Sequence, residues 1–263
     1  SETLMIDATK PQQDSGTFYN GSRNSISELR ARIDHEFAAT KYHQVAFGGS
    51  FIWNSSSLDF DTVSIPLAQG RNDVSRVSLL VKDEIFLGKI FTLQPGVKLD
   101  VKLEDPKVYF QPRMGLMLKP NKYWRLRLGW GIYYQFITEN AFVDPFGNQL
   151  YFWQVADGTG TFVQQSMHSV AGISFNKWGL NVAIDGYYKT LNNLIRWSYD
   201  TVNESPFFHA NGKGRSYGFD VAVRQRIWRF DLSGTYSWSR SEDAFNSISN
   251  GELVRAPHDQ RHE

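Results

Sequence analysis

Long runs of strict apolar/polar alternation constrain this chain more than any other feature. Residues 123–136 read YWRLRLGWGIYYQF. Trp124, Leu126, Leu128, Trp130, Ile132, Tyr134 and Phe136 share one parity; Arg125, Arg127, Gly129, Gly131, Tyr133 and Gln135 share the other. Successive side chains of a strand point to opposite faces, so the segment has one greasy face and one polar face. The pattern recurs in Leu29, Ala31, Ile33 and Phe37, then in Val45, Phe47, Phe51 and Trp53. Val77, Leu79 and Val81 start a third row, followed by Phe91–Val101 and Val108–Leu118. Later strands are expected near 164–175, 180–190, 214–227 and 230–240. The result is about ten strands of roughly 10–14 residues, longer than soluble strands and matched to the ~9–11 residues that cross a bilayer at a tilt.

The connections alternate in length. Short ones at 38–42, 87–89, 120–122, 176–179 and 228–229 alternate with long ones at 54–73, 137–163, 191–213 and 241–259; only 103–106 is short where a long one is expected. Tight turns on one side and extended loops on the other are the signature of an outer-membrane barrel. Trp53, Tyr123, Trp124, Phe136, Trp178, Tyr187, Tyr188, Trp228 and Trp238 fall near strand ends, where interfacial aromatic girdles lie. The non-apolar parity carries Arg30, Arg32, Lys98, Arg125, Arg127, Asp185, Lys189, Asp220 and Arg224. So many charges need tight pairing in a small filled barrel, whereas a wide wet lumen or a polar plug accommodates them. The spacing predicts that Trp124 to Phe136 face lipid and that Arg125, Arg127, Tyr133 and Gln135 face the lumen. Residues 1–26 read as an irregular loop and 27–263 as a partial barrel.

Composition narrows the function classes. Lys plus Arg (28) nearly balances Asp plus Glu (27), and no basic run marks a nucleic-acid footprint. The chain has no cysteine, which removes disulfides and thiolate chemistry. No stretch of about 18 apolar residues could form a spanning helix, and the N-terminal residues have no secretory signal pattern.

Four passages together resemble the barrel of TonB-dependent outer-membrane transporters: VKDEIFLGKIFTLQPGVKLD (81–100), FQPRMGLMLKPNKYWRLRLGWGIYYQ (110–135), DGYYKTLNNLIRW (185–197), and RSYGFDVAVRQRIWRFDLSGTYSWSRSED (215–243) followed by APHDQRHE (256–263). They occur in the family's order over roughly residues 75–263. The resemblance implies an all-β antiparallel transmembrane barrel, here about ten strands of a 22-stranded one, in the bacterial outer membrane. It implies a plug domain of the same parent protein and the TonB-ExbB-ExbD energising complex, reached through an N-terminal region that this sequence lacks. An outer-membrane lipoprotein or other complex subunits are further possible partners. The sequence stops at His262-Glu263, inside the family's next strand start, so it reads as an internal piece of a larger barrel.

Chemistry-bearing patterns are sparse. His35 lies on the apolar parity, as an interfacial histidine would. His258 and His262 fall on one face of a strand but ~13 Å apart, too far to share a metal. Asn211-Gly212-Lys213-Gly214 precedes a strand and reads as a loop end rather than a phosphate cradle. No hydrolase or phosphate-loop motif is present. No catalytic residue, metal ligand or resident cofactor is therefore assigned. Ligand contacts are expected from exposed aromatics and a histidine in the long loops: Phe146, Tyr151 and Trp153 in 137–163, and Trp197, Tyr199 and His209 in 191–213. Three functions follow. The first is part of an active importer of a scarce nutrient of the metal-chelate, oligosaccharide or peptide class; the second a non-transporting barrel subunit or scaffold; the third a small barrel hydrolase.

Overall fold

The computed structural model describes residues 2–12, 23–62, 65–143, 149–157, 161–200, 205–256 and 259–263. Strands β1 (Glu2–Gln12), β2 (Arg23–Thr40), β3 (His43–Thr62), β4 (Ile65–Leu87), β5 (Phe91–Lys102), β6 (Lys107–Leu118) and β7 (Trp124–Gln135) pair in sequence order. The order continues through β10 (Gln164–Lys177), β11 (Leu180–Asp200), β12 (Ser205–Ile227), β13 (Phe230–Ala244) and β14 (Val254–Arg255), giving one sheet of 12 strands. Every pairing is antiparallel. Between β7 and β10, β8 (Ile137–Val143) and β9 (Gln149–Val155) form a separate hairpin. A four-residue helix, α1 (Asn246–Ser249), precedes β14.

Period-2 patterning fixes the register. Leu116, Leu128, Ala171, Gly186, Phe219 and Trp238 align across six strands in one row. Leu79, Leu99 and Phe110 align in another. A one-residue slip anywhere would send these side chains to the polar face, so the two-faced pattern specifies the pairing.

Burial is inverted relative to a soluble domain. Ile33, Phe47, Leu79, Phe110, Leu128, Phe219 and Leu232 on the apolar face are exposed, whereas Asn54, Ser56, Arg76, Ser78, Asp100, Lys102 and Gln111 on the other face are buried. Contiguous apolar surface of this extent is covered by lipid in a membrane barrel. His35 belongs to that face: its ring lies 5.5 Å from Phe37 and 5.2 Å from Phe47, an aromatic contact rather than a reactive site.

The structure departs from the sequence reading in four places, the first being the β8–β9 hairpin inside the connection read as the loop 137–163. Residues 2–12 form a strand, and β2 starts at Arg23, where an irregular loop was expected. In β1, Leu4, Ile6 and Ala8 alternate with Thr3, Met5 and Asp7, a weak contrast that only pairing with β2 resolves. The connections read as 54–73 and 191–213 are largely strand, because β3–β4 and β11–β12 extend well past bilayer length. Finally, Phe136 is not on the lipid face. Trp124, Leu128 and Trp130 are exposed as expected, but β7 ends at Gln135 and Phe136 turns into a buried cluster with Tyr109, Ala156 and Val163.

Candidate functional site

A polar network crosses the sheet on the face opposite the lipid-type rows. Glu28 of β2 accepts from Asn54 of β3 (2.8 Å), whose carbonyl oxygen accepts from Arg76 of β4 (2.7 Å). Asp100 of β5, fully buried, takes hydrogen bonds from Ser78 and Gln111 and pairs with Lys98 at 2.8 Å. Gln111 of β6 in turn accepts from Arg113 (3.2 Å). The Arg113 guanidinium lies 4.7 Å from the Tyr133 ring centroid on β7, and Tyr133 lies 4.9 Å from the His168 ring on β10. The parity that alternates with the lipid rows thus supplies polar and charged groups in register, paired partly across strands (Glu28–Asn54–Arg76, Ser78–Asp100–Gln111) and partly along one strand (Lys98–Asp100, Gln111–Arg113). Buried charges persist only when paired and hydrogen-bonded. A cavity of about 400 Å³ opens on this face beside Lys82, Glu84, Gln94, Arg113, Tyr133 and His168.

The β8–β9 hairpin lies across the network instead of projecting away. Asn24 grips the hairpin backbone at Trp153, donating to its carbonyl (2.9 Å) and accepting from its N–H (2.8 Å). Ser56 accepts from the Val155 N–H (3.0 Å), Asn72 donates to the Val155 carbonyl (3.3 Å), and Lys102 donates to the Asp157 carbonyl. Edge polar groups of the hairpin are therefore satisfied by wall side chains. Its base is closed by Ala156 N–H donating to the Phe136 carbonyl (2.8 Å) and by Gln135 donating to the Ile137 carbonyl (2.8 Å). Phe136 sits edge-on to Tyr109 (4.9 Å), with the Arg76 guanidinium 4.4 Å over its ring. Phe152, buried in the hairpin, meets the Trp197 ring of β11 edge-on at 5.5 Å. One hairpin so touches β2, β3 and β4 on one flank and β11 on the other.

The expected ligand residues scatter over this arrangement. Tyr151 is exposed on β9. Trp153 is half-buried, its backbone held by Asn24, and Trp197 packs on Phe152. Tyr199 and His209 lie in the extended β11–β12 hairpin, opposite Pro206 and Arg196, and their side chains fall outside the described residues, as does the whole of Phe146. On β7, Arg127 Nη2 donates to both carboxylate oxygens of Asp185 (2.7 and 3.0 Å), and Arg125 is exposed. Tyr133 bridges Arg113 and His168, whereas Gln135 serves as the hairpin tie. Sequence reasoning missed Asn24, Asn54, Arg76, Asp100, Gln111 and Phe152. The four from Asn54 to Gln111 lie on the polar parity and could have been found by counting along each strand; Asn24 and Phe152 had no signal, because their roles depend on where the hairpin lands.

Among the described residues, no group of three His, Asp or Glu side chains forms a metal-sized cluster. The arrangement offers a hydrogen-bonding and ion-pairing wall, with an aromatic hairpin laid over it.

Comparisons agree with this architecture. The family described as "TonB dependent receptor-like, beta-barrel" matches residues 4–260. No curated protein matches the sequence. Among solved structures, the siderophore receptor PirA from Pseudomonas aeruginosa superposes with a TM-score of 0.64 at 15% identity, covering 87% of this chain and 47% of that one. The FrpB iron transporter from Neisseria meningitidis (F3-3 variant) gives 0.62 at 11% identity, covering 89% and 38%. The RagAB peptide importer gives 0.58 at 13% identity, covering 90% and 32%. The chain therefore spans less than half of each of these proteins.

Proposed function

Since this chain belongs to the TonB-dependent receptor β-barrel family, we propose that it builds part of the wall of an outer-membrane active transporter that imports a scarce nutrient. That family consists of outer-membrane receptors and transporters of Gram-negative bacteria. The cargo in this reading is a metal chelate, an oligosaccharide or a peptide. Siderophore, iron and peptide carriers among the structural neighbours support the first and last classes. The polar face becomes the lumen wall, with Arg125, Arg127 and Tyr133 among its lining residues. Tyr151, Trp153 and Trp197, carried on or against the inward-lying hairpin, become candidate cargo contacts. A plug domain of the same parent protein fills the remaining lumen. Force reaches the plug from the TonB-ExbB-ExbD complex, and a surface lipoprotein is a candidate lid. The chain performs no covalent step; a metal, if any, arrives as cargo.

One observation carries the reading: a charged, hydrogen-bonded face crossed by an anchored hairpin, back to back with an exposed apolar face. A filled soluble barrel has no use for that inversion. The test is uptake by cells with and without the parent gene, using iron-55 chelates, labelled oligosaccharides and labelled peptides, before and after collapse of the inner-membrane proton gradient. Gradient-dependent loss of one cargo class on deletion is expected. Unchanged uptake of all three, with a stable outer-membrane complex lost instead, would replace transport by the scaffold reading.

A further inference from the structure

The lipid-type face changes character at the long-loop end of β11–β14. Ile184, Val221 and Tyr236 align in one apolar row, and Gly186, Phe219 and Trp238 in the next. One row further on stand Tyr188, Tyr217 and Arg240, and beyond them Thr190, Arg215, Glu242 and Arg255. All these residues keep the parity of the apolar rows, so the arginines point outward and not into the lumen. An outward arginine cluster has no cargo to contact and lies where the bilayer surface meets water.

The cluster is preassembled and carries excess positive charge. Glu242 is almost fully buried beneath the two arginines it holds, Arg215 through Nε and Arg240 through Nη2, each at 2.5 Å. Beside them Arg255 pairs with Asp259 at 2.7 Å, and Arg261 reaches the same carboxylate at 3.6 Å. Four guanidinium groups thus face two carboxylates. Both carboxylates are buried, while the arginine side chains are 39–58% exposed. The aromatic platform below is fixed: Tyr217 lies 5.9 Å from Trp238 and 6.3 Å from Tyr188, and Phe219 stacks on Trp238 at 5.8 Å. Planar guanidinium forks recognise phosphate oxygens bidentately, and an aromatic shelf at the interface receives the acyl region beneath a headgroup.

We infer that Arg215, Arg240 and Arg255 form an outward-facing site for the phosphate of an anionic lipid headgroup in the outer leaflet. The inference rests on the membrane location argued above. Its test uses the whole parent protein in non-ionic detergent, with retained lipid counted by native mass spectrometry. The probes are diphosphoryl lipid A, phosphatidylcholine and inorganic phosphate. Retention of lipid A over phosphatidylcholine is expected, undisplaced by equimolar inorganic phosphate, and weakened about ten-fold in an Arg215→Gln/Arg240→Gln double variant. Equal retention by the variant, or displacement by inorganic phosphate, overturns the site. If the double variant does not fold, as judged by heat-modifiable gel mobility, the native protein decides through salt. Retention should then fall between about 50 and 500 mM NaCl, and salt-independent retention overturns the proposal. A parent protein that stays in solution without detergent would instead overturn the membrane reading itself.

Discussion

Trp178 and Trp228 occupy the left-handed region, at φ 54° and 52°, in the two-residue turns after β10 and β12. A bulky side chain there costs roughly 1–2 kcal/mol, which Asn largely avoids. Gly179 follows at φ 74°, so the first turn has the all-positive geometry for which Asn-Gly is the favoured pair. Tryptophan is there in spite of the backbone, and its ring is 79% exposed with Lys177 Nζ 3.7 Å from its centroid. Those are the properties of an interfacial anchor. Trp178→Asn and Trp178→Ala both lose the ring, but only Asn relieves the strain. In urea unfolding from lipid vesicles, the Asn variant should therefore be about 1 kcal/mol the more stable of the two; an Ala variant as stable as Asn would contradict the strain argument. Asp100 poses the reverse case, a residue chosen for its partners. Asp100→Ala strands Gln111 and Lys98 and should cost about 3 kcal/mol, whereas Lys98→Met should cost less because the Lys98 side chain is partly solvated. Equal losses in the same unfolding assay would show that the carboxylate is not the hub. Parity along β5 made Asp100 legible as a polar-face residue, but its complete burial depends on neighbours a single strand does not reveal.

At the scale of elements, the strands were readable and the hairpin was not. Ten residues of alternation specify a strand in this chain, because each face meets a uniform environment and every residue votes the same way. Residues 137–155 carry aromatics on both parities, Tyr151 and Trp153 against Phe142 and Phe152, while the face laid on the polar wall buries Thr138 and Asn140 beside Phe152 and the other leaves Glu139 and Tyr151 exposed. Alternation fails where the buried face is itself partly polar and the exposed face partly aromatic, and what remains looks like a loop. Phe136 was misassigned for a related reason: its parity continues β7, but the chain bends one residue earlier. The hairpin's seat depends on Asn24. Asn24→Ala removes two hydrogen bonds to the Trp153 backbone, worth about 1 kcal/mol each. Hydrogen exchange in residues 149–157 should accelerate by one to two orders of magnitude on that basis, while residues 165–175 stay protected. Acceleration of both would mean that the hairpin and the wall open as one unit. The β3–β4 extension carries a pH-sensitive element. Asp73 sits beyond the Trp53–Ser75 level, and its carboxyl is held below the ordinary range, first by the Ser55 side-chain hydrogen bond and then by Arg71. A depressed folded-state pKa contributes stability above the unfolded value, and that contribution disappears as pH falls through the folded one. Exchange in residues 70–76 should rise relative to the rest of β4 only below about pH 4; loosening that begins near neutrality would assign the effect to another group.

Among the described residues the 12-stranded sheet is an open wall. The strand order runs from β1 to β14, and no pairing among the described residues joins the two ends. In water such edges would be merely sticky, but in hydrocarbon each unpaired N–H or C=O costs several kcal/mol. In lipid the 12 strands would need partners at both edges, as the other strands of a 22-stranded transporter barrel would supply. The sequence, read as about ten strands with a charge-rich polar face, points to a larger barrel, because so few strands closed on themselves would crowd the charges of the polar face into a narrow lumen. It could not reveal that the hairpin between β7 and β10 covers part of that face, because the contacts join segments more than a hundred residues apart, Asn24 to Trp153 among them. A folding experiment on the 263-residue chain alone follows from the edges. Diluted from urea into lipid vesicles, it should give no protease-protected, heat-modifiable monomer, and what inserts should be oligomeric through edge pairing. The intact parent barrel should insert as a monomer under the same conditions. A protected monomeric band from the isolated chain would mean that β1 and β14 find each other in lipid, and the 22-strand assignment would then have to yield to a smaller closed barrel.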